Sequence, residues 1–359
     1  MKLYLHIGTE KTGSSFLQSY LAKNRSFLLK NGIHFPKAGI KESNMLKGKI
    51  SPGNADELDK YLAQKDWTQV EKWLISKFDE AKQKKCHSIL LSNEILVLRF
   101  AEDKVLNEFV RIATTLYFEV QDVLMMIREP ISQALSLYKH RSKIGIMLPV
   151  DEWLKGQYIL ADKLINFYKN LSKSEISLLQ YPYQKDSAYL VEVCINKWLK
   201  LDEKIAIEHT PVNPSLTLSE LRVLCELHPK NPYLAKKYYD FMIQLNSNLK
   251  SDDQLYKTFV KDQMNNYMVN YNSLWKTVHE HMSCESSLNH YQPVEVNQLK
   301  ETASFSVQQI EVMSSFMMYT TSWSYYKFHT NKKIQKAIVK IIPKFLNDFR
   351  KRIRDSFYN

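Results

Sequence analysis

What most constrains this chain is a strand, a loop and a helix compressed into its first thirty residues. Residues 3–7 (LYLHI) are an apolar run of strand length, and the loop HIGTEKTGSS, His6 to Ser15, follows at once. Gly8 and Gly13 bracket small polar residues in that loop. From Ser14 onward Leu17, Tyr20, Leu21 and Leu28 recur at helical spacing as far as Lys30. A tight turn between a buried strand and a helix start aims main-chain N–H groups outward, into the positive end of the helix dipole. Such a turn suits a phosphate.

The placement of the lysine narrows this further. A nucleoside triphosphate loop of the form G-x-x-x-x-G-K-[ST] carries its lysine directly after the second glycine. Here the Gly8-to-Gly13 spacing is kept, but Ser14 and Ser15 follow, and the lysine sits inside the loop as Lys11. The run Lys11, Thr12, Gly13, Ser14, Ser15 resembles the 5′-phosphosulfate loop of sulfotransferases, roughly K-[ST]-G-[ST]-[ST]. The opening HIGTEKTG is similar to that of the bacterial, carbohydrate-directed branch of those enzymes. A Gly/Ser/Thr turn between strand and helix is common, so the loop alone does not decide.

Further along, strands and helices alternate. Residues 32–36 read as a brief strand, 67–85 as a helix, 88–92 as a strand and 104–116 as a helix. Residues 122–127 (DVLMMI) read as a strand, 131–143 and 152–168 as helices, and 175–180 (EISLLQ) as a strand. The Lys-, Gly- and Ser-rich residues 38–53 read as a loop placed to fold over substrate. Alternation of this kind implies a parallel sheet with helices on both faces. The expected fold is a three-layer α/β/α domain over residues 1–210, of the P-loop-like sulfotransferase type, followed by a mostly helical region over 211–359.

A second motif supports the first. The strand 122–127 ends in Arg128, and Ser136 follows eight residues later on the next helix (IREPISQALSLYKH). In sulfotransferases an arginine and a serine so spaced grip the 3′-phosphate of 3′-phosphoadenosine 5′-phosphosulfate (PAPS). A guanidinium offers a fork to phosphate oxygens, and a serine hydroxyl adds a donor. Alone, each residue reads equally as surface. The two motifs together, each at the C-terminal end of a parallel strand, lie where open α/β sheets bind ligands. The resemblance spans about residues 1–200 and implies Lys11, Thr12, Gly13, Ser14, Ser15, Arg128 and Ser136 as nucleotide-binding residues.

The same resemblance implies a catalytic base, His or Glu, near the acceptor. Glu94, in LSNE after the strand 88–92, is the preferred residue, with His6 and Glu10 as weaker ones. Ser132, Ser136, His140 and Lys143 form one helical stripe. The SLYKH histidine, His140, resembles one near the reacting groups of glycan N-sulfotransferases, though a solvated stripe explains it equally. Lys11 is expected to neutralise the leaving phosphate. No metal is expected, since a sulfuryl group carries less charge than a phosphoryl group. The chain departs from the family in lacking a late Arg-Lys-Gly loop; Lys185 or residues 213–217 are the stand-ins for a nucleotide lid.

Charge and cysteine usage bound the remainder. A net charge of +12 points to an anionic partner, and four scattered cysteines (Cys86, Cys194, Cys225, Cys284) read as reduced, mostly buried thiols. With Met1 two residues before the first strand and no membrane-length apolar run, a cytoplasmic protein is expected. Residues 331–357 are amphipathic, with nine Lys/Arg against two Asp between 332 and 355. That helix either packs on the core or lies on an anionic membrane at its inner face. Nucleic acid is not expected as a partner, because aromatic–basic interleaving on a sheet face is absent. The leading expectation is PAPS-dependent sulfation of a carbohydrate hydroxyl, on a surface polysaccharide, lipopolysaccharide or glycolipid. A nucleotide kinase-like phosphotransferase and a non-catalytic basic scaffold are the alternatives.

Overall fold

The computed structural model describes residues 1–49, 51–128, 130–143, 150–184, 186–202, 216, 218–245, 276–283 and 317. Strand β1 (Lys2–Gly8) leads to helices α1 (Ser14–Lys23) and α2 (Arg25–Lys30), then β2 (Ile33–His34). Helices α3 (Glu42–Leu46), α4 (Asp56–Gln64) and α5 (Trp67–Gln83) precede β3 (Ser88–Ser92). After α6 (Leu96–Phe100) and α7 (Val105–Thr115) comes β4 (Glu119–Ile127), then α8 (Pro130–Ser142), α9 (Val150–Leu171) and β5 (Leu178–Pro182). Beyond them lie α10 (Ser187–Glu192), a π-helical turn (Val193–Trp198), α11 (Leu218–Leu227) and α12 (Pro232–Leu245).

The five strands form one sheet in the order β2-β3-β1-β4-β5, and every neighbouring pair is parallel. Side chains alternate across it with period two. Leu3, Leu5, Ile7, Ile89, Leu91, Val123, Met125 and Ile127 join the apolar core shared with α4–α7, α9, α11 and α12. Leu90, Leu124 and Met126 face the other way, into a core with α1, α2, α10 and the π-helical turn. Both faces are therefore covered, which is why the central strands read as unbroken apolar runs. Leu216, Leu221, Leu224, Ala235, Tyr238 and Met242 belong to the first of these cores, so the described C-terminal helices are built onto the sheet.

This order puts a switch point at the carboxyl edge. The connection from β1 runs toward β2 with α1 on one face; that from β4 runs toward β5 with Ala134 and Tyr138 of α8 on the other. Loops that part to opposite faces leave a crevice between them.

Two segments differ from their sequence reading. The helix expected through Lys30 breaks at Asn24, whose side chain donates to the Tyr20 carbonyl at 2.8 Å. Residues 38–53 do not form an open loop. They hold a 3₁₀ turn (Gly39–Lys41) and α3, and they are fastened at both ends. Arg25 donates to the Phe35 carbonyl at 3.0 Å and the Pro36 carbonyl at 3.3 Å and pairs with Glu42. At the far end the buried Asn54 side chain donates to Leu90 O at 3.0 Å and accepts from Ser92 N–H at 2.7 Å, taking the role of a further strand beside β3. Helices α4, α6 and α10 were not foreseen. Each is too short, at five to nine residues, to show a clear helical period in sequence.

The C-terminal chain also closes a sheet edge. Ser283 N–H donates to Gln180 O at 2.9 Å, and Gln180 N–H donates to Ser283 Oγ at 2.9 Å. The Gln180 amide donates to Val278 O at 2.8 Å and accepts from the Tyr168 hydroxyl at 2.7 Å. An unpaired parallel edge is thereby covered. The amphipathic stretch 331–357 and Cys284 lie outside the described residues; among those described, no helix is long and apolar enough to cross a membrane.

Gly53 fixes how closely the excursion docks. Its φ is 91°, and a Cβ there would stand 1.9 Å from the Ser92 carbonyl oxygen and 2.8 Å from the Gln18 amide nitrogen. Gly53→Ala is expected to cost about 3 kcal/mol or more in urea denaturation, since the main-chain contact with Ser92 cannot relax cheaply. A loss below about 1 kcal/mol would show that the Asn54 clamp on β3 tolerates displacement.

Candidate functional site

The loop between β1 and α1 passes through the left-handed region at two places. Lys11 has φ 66° and Gly13 has φ 87°. Glycine adopts the left-handed region freely, whereas a lysine does so at a cost of roughly 1–2 kcal/mol. A Cβ at Gly13 would meet Leu190 Cδ1 at 2.9 Å and the Tyr183 ring at 3.0 Å. The strain is held from the α8 side. Arg128 Nη1 donates to the Lys11 carbonyl at 3.0 Å, with its guanidinium 5.1 Å from the centre of the Tyr183 ring. Gln133 Nε2 donates to the Glu10 carbonyl at 2.8 Å. Across a trans peptide C=O and N–H point in opposite directions, so holding these two carbonyls toward β4 and α8 turns the N–H groups of Lys11 and Thr12 the other way. Helix α1 opens on Gly13 with no capping side chain and no acid in its first turn. Its N-terminal charge is uncompensated from within.

The structure brings most of the residues singled out in the sequence to this edge. Thr12 is buried, its hydroxyl donating to Thr9 O at 2.7 Å. Ser14 starts α1, with Ser15 beside it. Ser136 is half-buried on α8, three residues after Gln133 and four before His140, spacings that share a helix face. Glu94 follows β3 in a turn fixed by the buried Asn93, whose side chain accepts from Ile95 N–H at 2.8 Å and donates to Ala55 O at 3.3 Å.

Burial and neighbouring charge together set the proton affinities here. Glu94 is pushed up to about 6, chiefly by burial; the Ser14 hydroxyl and the Lys11 ammonium pull the other way, and Glu10 adds to the rise. Lys11 is lowered, first by burial, then against the attraction of Glu94 and Glu10. His140 falls to about 4 through burial and the charges of Lys11, Lys143 and Arg141. Near neutral pH its ring is uncharged. Lys143 falls to about 8 through burial and Lys11.

Some of the buried polar side-chain atoms that lack a well-formed hydrogen bond belong to the β1–α1 connection, α1 and α8, and others to more distant elements. Thr9 Oγ1, Ser14 Oγ, both amide atoms of Gln18 and His140 Nδ1 are buried without a well-formed hydrogen bond. Ser14 Oγ does lie close enough to Glu94 to favour its ionised form.

The two weaker base candidates are otherwise engaged. His6 is fully buried, with Nδ1 2.8 Å from Ser92 Oγ, and burial lowers its pKa to about 4. It ties β1 to β3. Glu10 meets Arg141 at 3.0 Å on the surface. Lys185 and residues 213–215 and 217, the stand-ins for a nucleotide lid, lie outside the described residues, as does the Ser132 side chain.

Sequence reasoning missed Gln133, Asn54, Gln18 and Tyr183. Only Gln18 left a local signal, standing one turn after Ser14 on α1. Comparisons with protein-family models, with curated proteins and with solved structures return no match.

Two outcomes follow from this geometry. The Glu94 carboxyl binds its proton more tightly folded than unfolded, so ionisation destabilises the fold as pH rises from about 4.5 to above 6. Glu94→Gln is therefore expected to gain roughly 1–2 kcal/mol over the parent at pH 8, and nothing at pH 4, by urea denaturation. Lys11→Gly should match or exceed the parent's stability by up to about 1 kcal/mol, because it relieves the left-handed φ. A clear loss would place the Lys11 side chain among the stabilising contacts.

Proposed function

We propose that this chain is a sulfotransferase that moves a sulfuryl group from PAPS to a carbohydrate hydroxyl. The observation that carries the reading is the Lys11 turn, held in a left-handed conformation by Arg128 at a sheet switch point. It presents an ammonium and main-chain N–H groups at a helix start, with a second cation one strand away. That arrangement suits a nucleotide carrying phosphate at both ends. The order β2-β3-β1-β4-β5, with the loop at its centre, agrees with a P-loop-like architecture.

In this reading Lys11 and the N–H groups of Thr12 to Ser15 hold the 5′-phosphate. Arg128 and Ser136 hold the 3′-phosphate. The acceptor hydroxyl gives its proton to the Glu94 carboxylate. Its oxygen forms the new bond to sulfur as the bond from sulfur to the bridging phosphate oxygen breaks, and the electron pair stays on the phosphate beside Lys11. A carboxyl near pH 6 is well matched to this work, being ionised at neutral pH yet basic enough to take a proton. His140, neutral in the same range, offers a hydrogen bond near the reacting groups. The carbohydrate is taken to be a surface polysaccharide, lipopolysaccharide or glycolipid, met in the cytoplasm or at the inner membrane face.

Thermal-shift and calorimetric titration with 3′-phosphoadenosine 5′-phosphate decide the matter. The nucleotide is expected to stabilise the protein, while ATP with magnesium does not. Lys11→Ala and Arg128→Ala should each weaken its binding about 10- to 100-fold, the worth of a charge-assisted contact. Glu94→Gln should keep binding and lose transfer from PAPS by about 100-fold or more. Stabilisation by ATP with magnesium alone, or by neither nucleotide, would overturn the reading. A fully active Glu94→Gln enzyme would overturn the base.

A further inference from the structure

We infer that His140 and Lys143 form a subsite for an anionic group carried by the acceptor itself, so that the glycan is acidic at or next to the sugar that is modified. The inference rests on the sulfuryl-transfer reading, because that reading gives Lys11 and Arg128 to the donor nucleotide. It leaves Lys143 without a role, one turn beyond the His140 that it sets near the reacting groups.

The geometry singles them out. His140 and Lys143 stand three residues apart, one helical turn, at the C-terminal end of α8. With a rise of about 1.5 Å per residue, Lys143 lies on the order of 10 Å along the helix from Ser136, about the reach of one or two sugar rings. Both groups lie within electrostatic range of Lys11. From α12, Tyr239 supplies the opposing wall, its ring centre 5.5 Å from Lys143 Nζ.

Among the described residues no carboxylate pairs with Lys143; its one strong neighbour is the Tyr239 ring. Asp240, next to Tyr239, acts on the phenol and makes no ion pair with Lys143. Glu10, the nearest other carboxylate on the loop, is bound to Arg141 on the surface. His140 Nδ1 is buried without a partner. A half-buried ammonium with no counter-ion is a costly arrangement on its own, because burial disfavours charge and Lys11 repels it. An incoming carboxylate, sulfate or phosphate removes that cost, and the imidazole adds a hydrogen bond. A neutral sugar does neither.

Binding and transfer distinguish the possibilities. The probes are trigalacturonate, its fully methyl-esterified neutral counterpart, and a hexose 6-phosphate, titrated calorimetrically in the presence of 3′-phosphoadenosine 5′-phosphate. Trigalacturonate is expected to bind at least about 10-fold more tightly than its ester, the worth of one charge-assisted contact. Lys143→Met, which keeps the aliphatic stem, should abolish that preference while nucleotide affinity stays within twofold. Lys60→Met, on exposed α4, should change neither. Tight binding of the hexose phosphate instead, lost in Lys143→Met, supports the subsite and identifies its anion as phosphate. Equal affinity for acid and ester, with no hexose phosphate binding, overturns the inference, as does a preference that survives Lys143→Met or is lost in Lys60→Met. Nucleotide binding without any acid preference leaves sulfuryl transfer standing and removes the acidic acceptor alone. Absence of nucleotide binding removes the parent reading, and the inference falls with it.

Discussion

The grip of the β4–α8 connection on two carbonyls of the first loop is the contact on which the site depends. Arg128 holds Lys11 O and Gln133 holds Glu10 O, and both donors come from a strand end that sits beside β1 in the sheet. A lysine in the left-handed region has a local alternative that is lower in energy by roughly 1–2 kcal/mol. One charge-assisted and one neutral hydrogen bond together offset that amount. The loop is thus shaped by a neighbour 117 residues away in sequence, more than by its own preference. The same grip orients N–H groups and leaves the Lys11 side chain directed by a strained backbone.

The charges at this edge are balanced against burial more than against one another. Glu94 and Lys11 attract, yet each is shifted toward its neutral form, because desolvation is the larger influence on both. His140 and Lys143 move the same way and gain nothing from a carboxylate. In a solvent-exposed cluster these shifts would be small, since water screens each charge. Here the walls are the Asn93 turn, the docked Gly53–Asn54 segment and α8, all of which exclude water from one side. The 38–53 excursion is fastened to β3 at its Gly53–Asn54 end. Its clamp on β3 lies only two residues from Glu94.

Much of the sheet was legible because a parallel strand buried on both faces leaves an apolar run. Residues 88–92 and 122–127 read correctly for that reason, and 122–127 extends back to Glu119 only where its side chains become half-exposed. The strand expected at 175–180 is displaced to Leu178–Pro182, because Leu171 and Ile176 serve the helix layer before the sheet begins. Lys11, Thr12, Gly13, Arg128, Ser136 and Glu94 were legible as types at loop and strand ends, where open sheets place ligand contacts. What spacing did not carry is side-chain reach. Gln133 and Asn54 act through single hydrogen bonds to distant main chain, and any polar residue at those positions looks alike in sequence. Strand order was equally silent. It follows from which helix covers which face, and that is settled by packing.

A fold with no ligand to accommodate has cheap ways to remove each oddity at this edge. Glycine at position 11 relieves the backbone. Glutamine at 94 removes a buried charge, and an apolar residue at 18 removes two unmet amide atoms. Leucine or methionine at 143 packs on Tyr239 without desolvating an ammonium. Each change is worth at most about 1–2 kcal/mol, against a typical total of about 5–15 kcal/mol. Single oddities of that size occur throughout proteins and mean little. Here a left-handed lysine, a raised carboxyl and a lowered ammonium fall on the β1–α1 connection, the turn after β3 and the end of α8. In the reading proposed above, an anionic occupant that accepts from Lys11, Lys143 and the N–H groups offsets all three while leaving Glu94 free to take a proton.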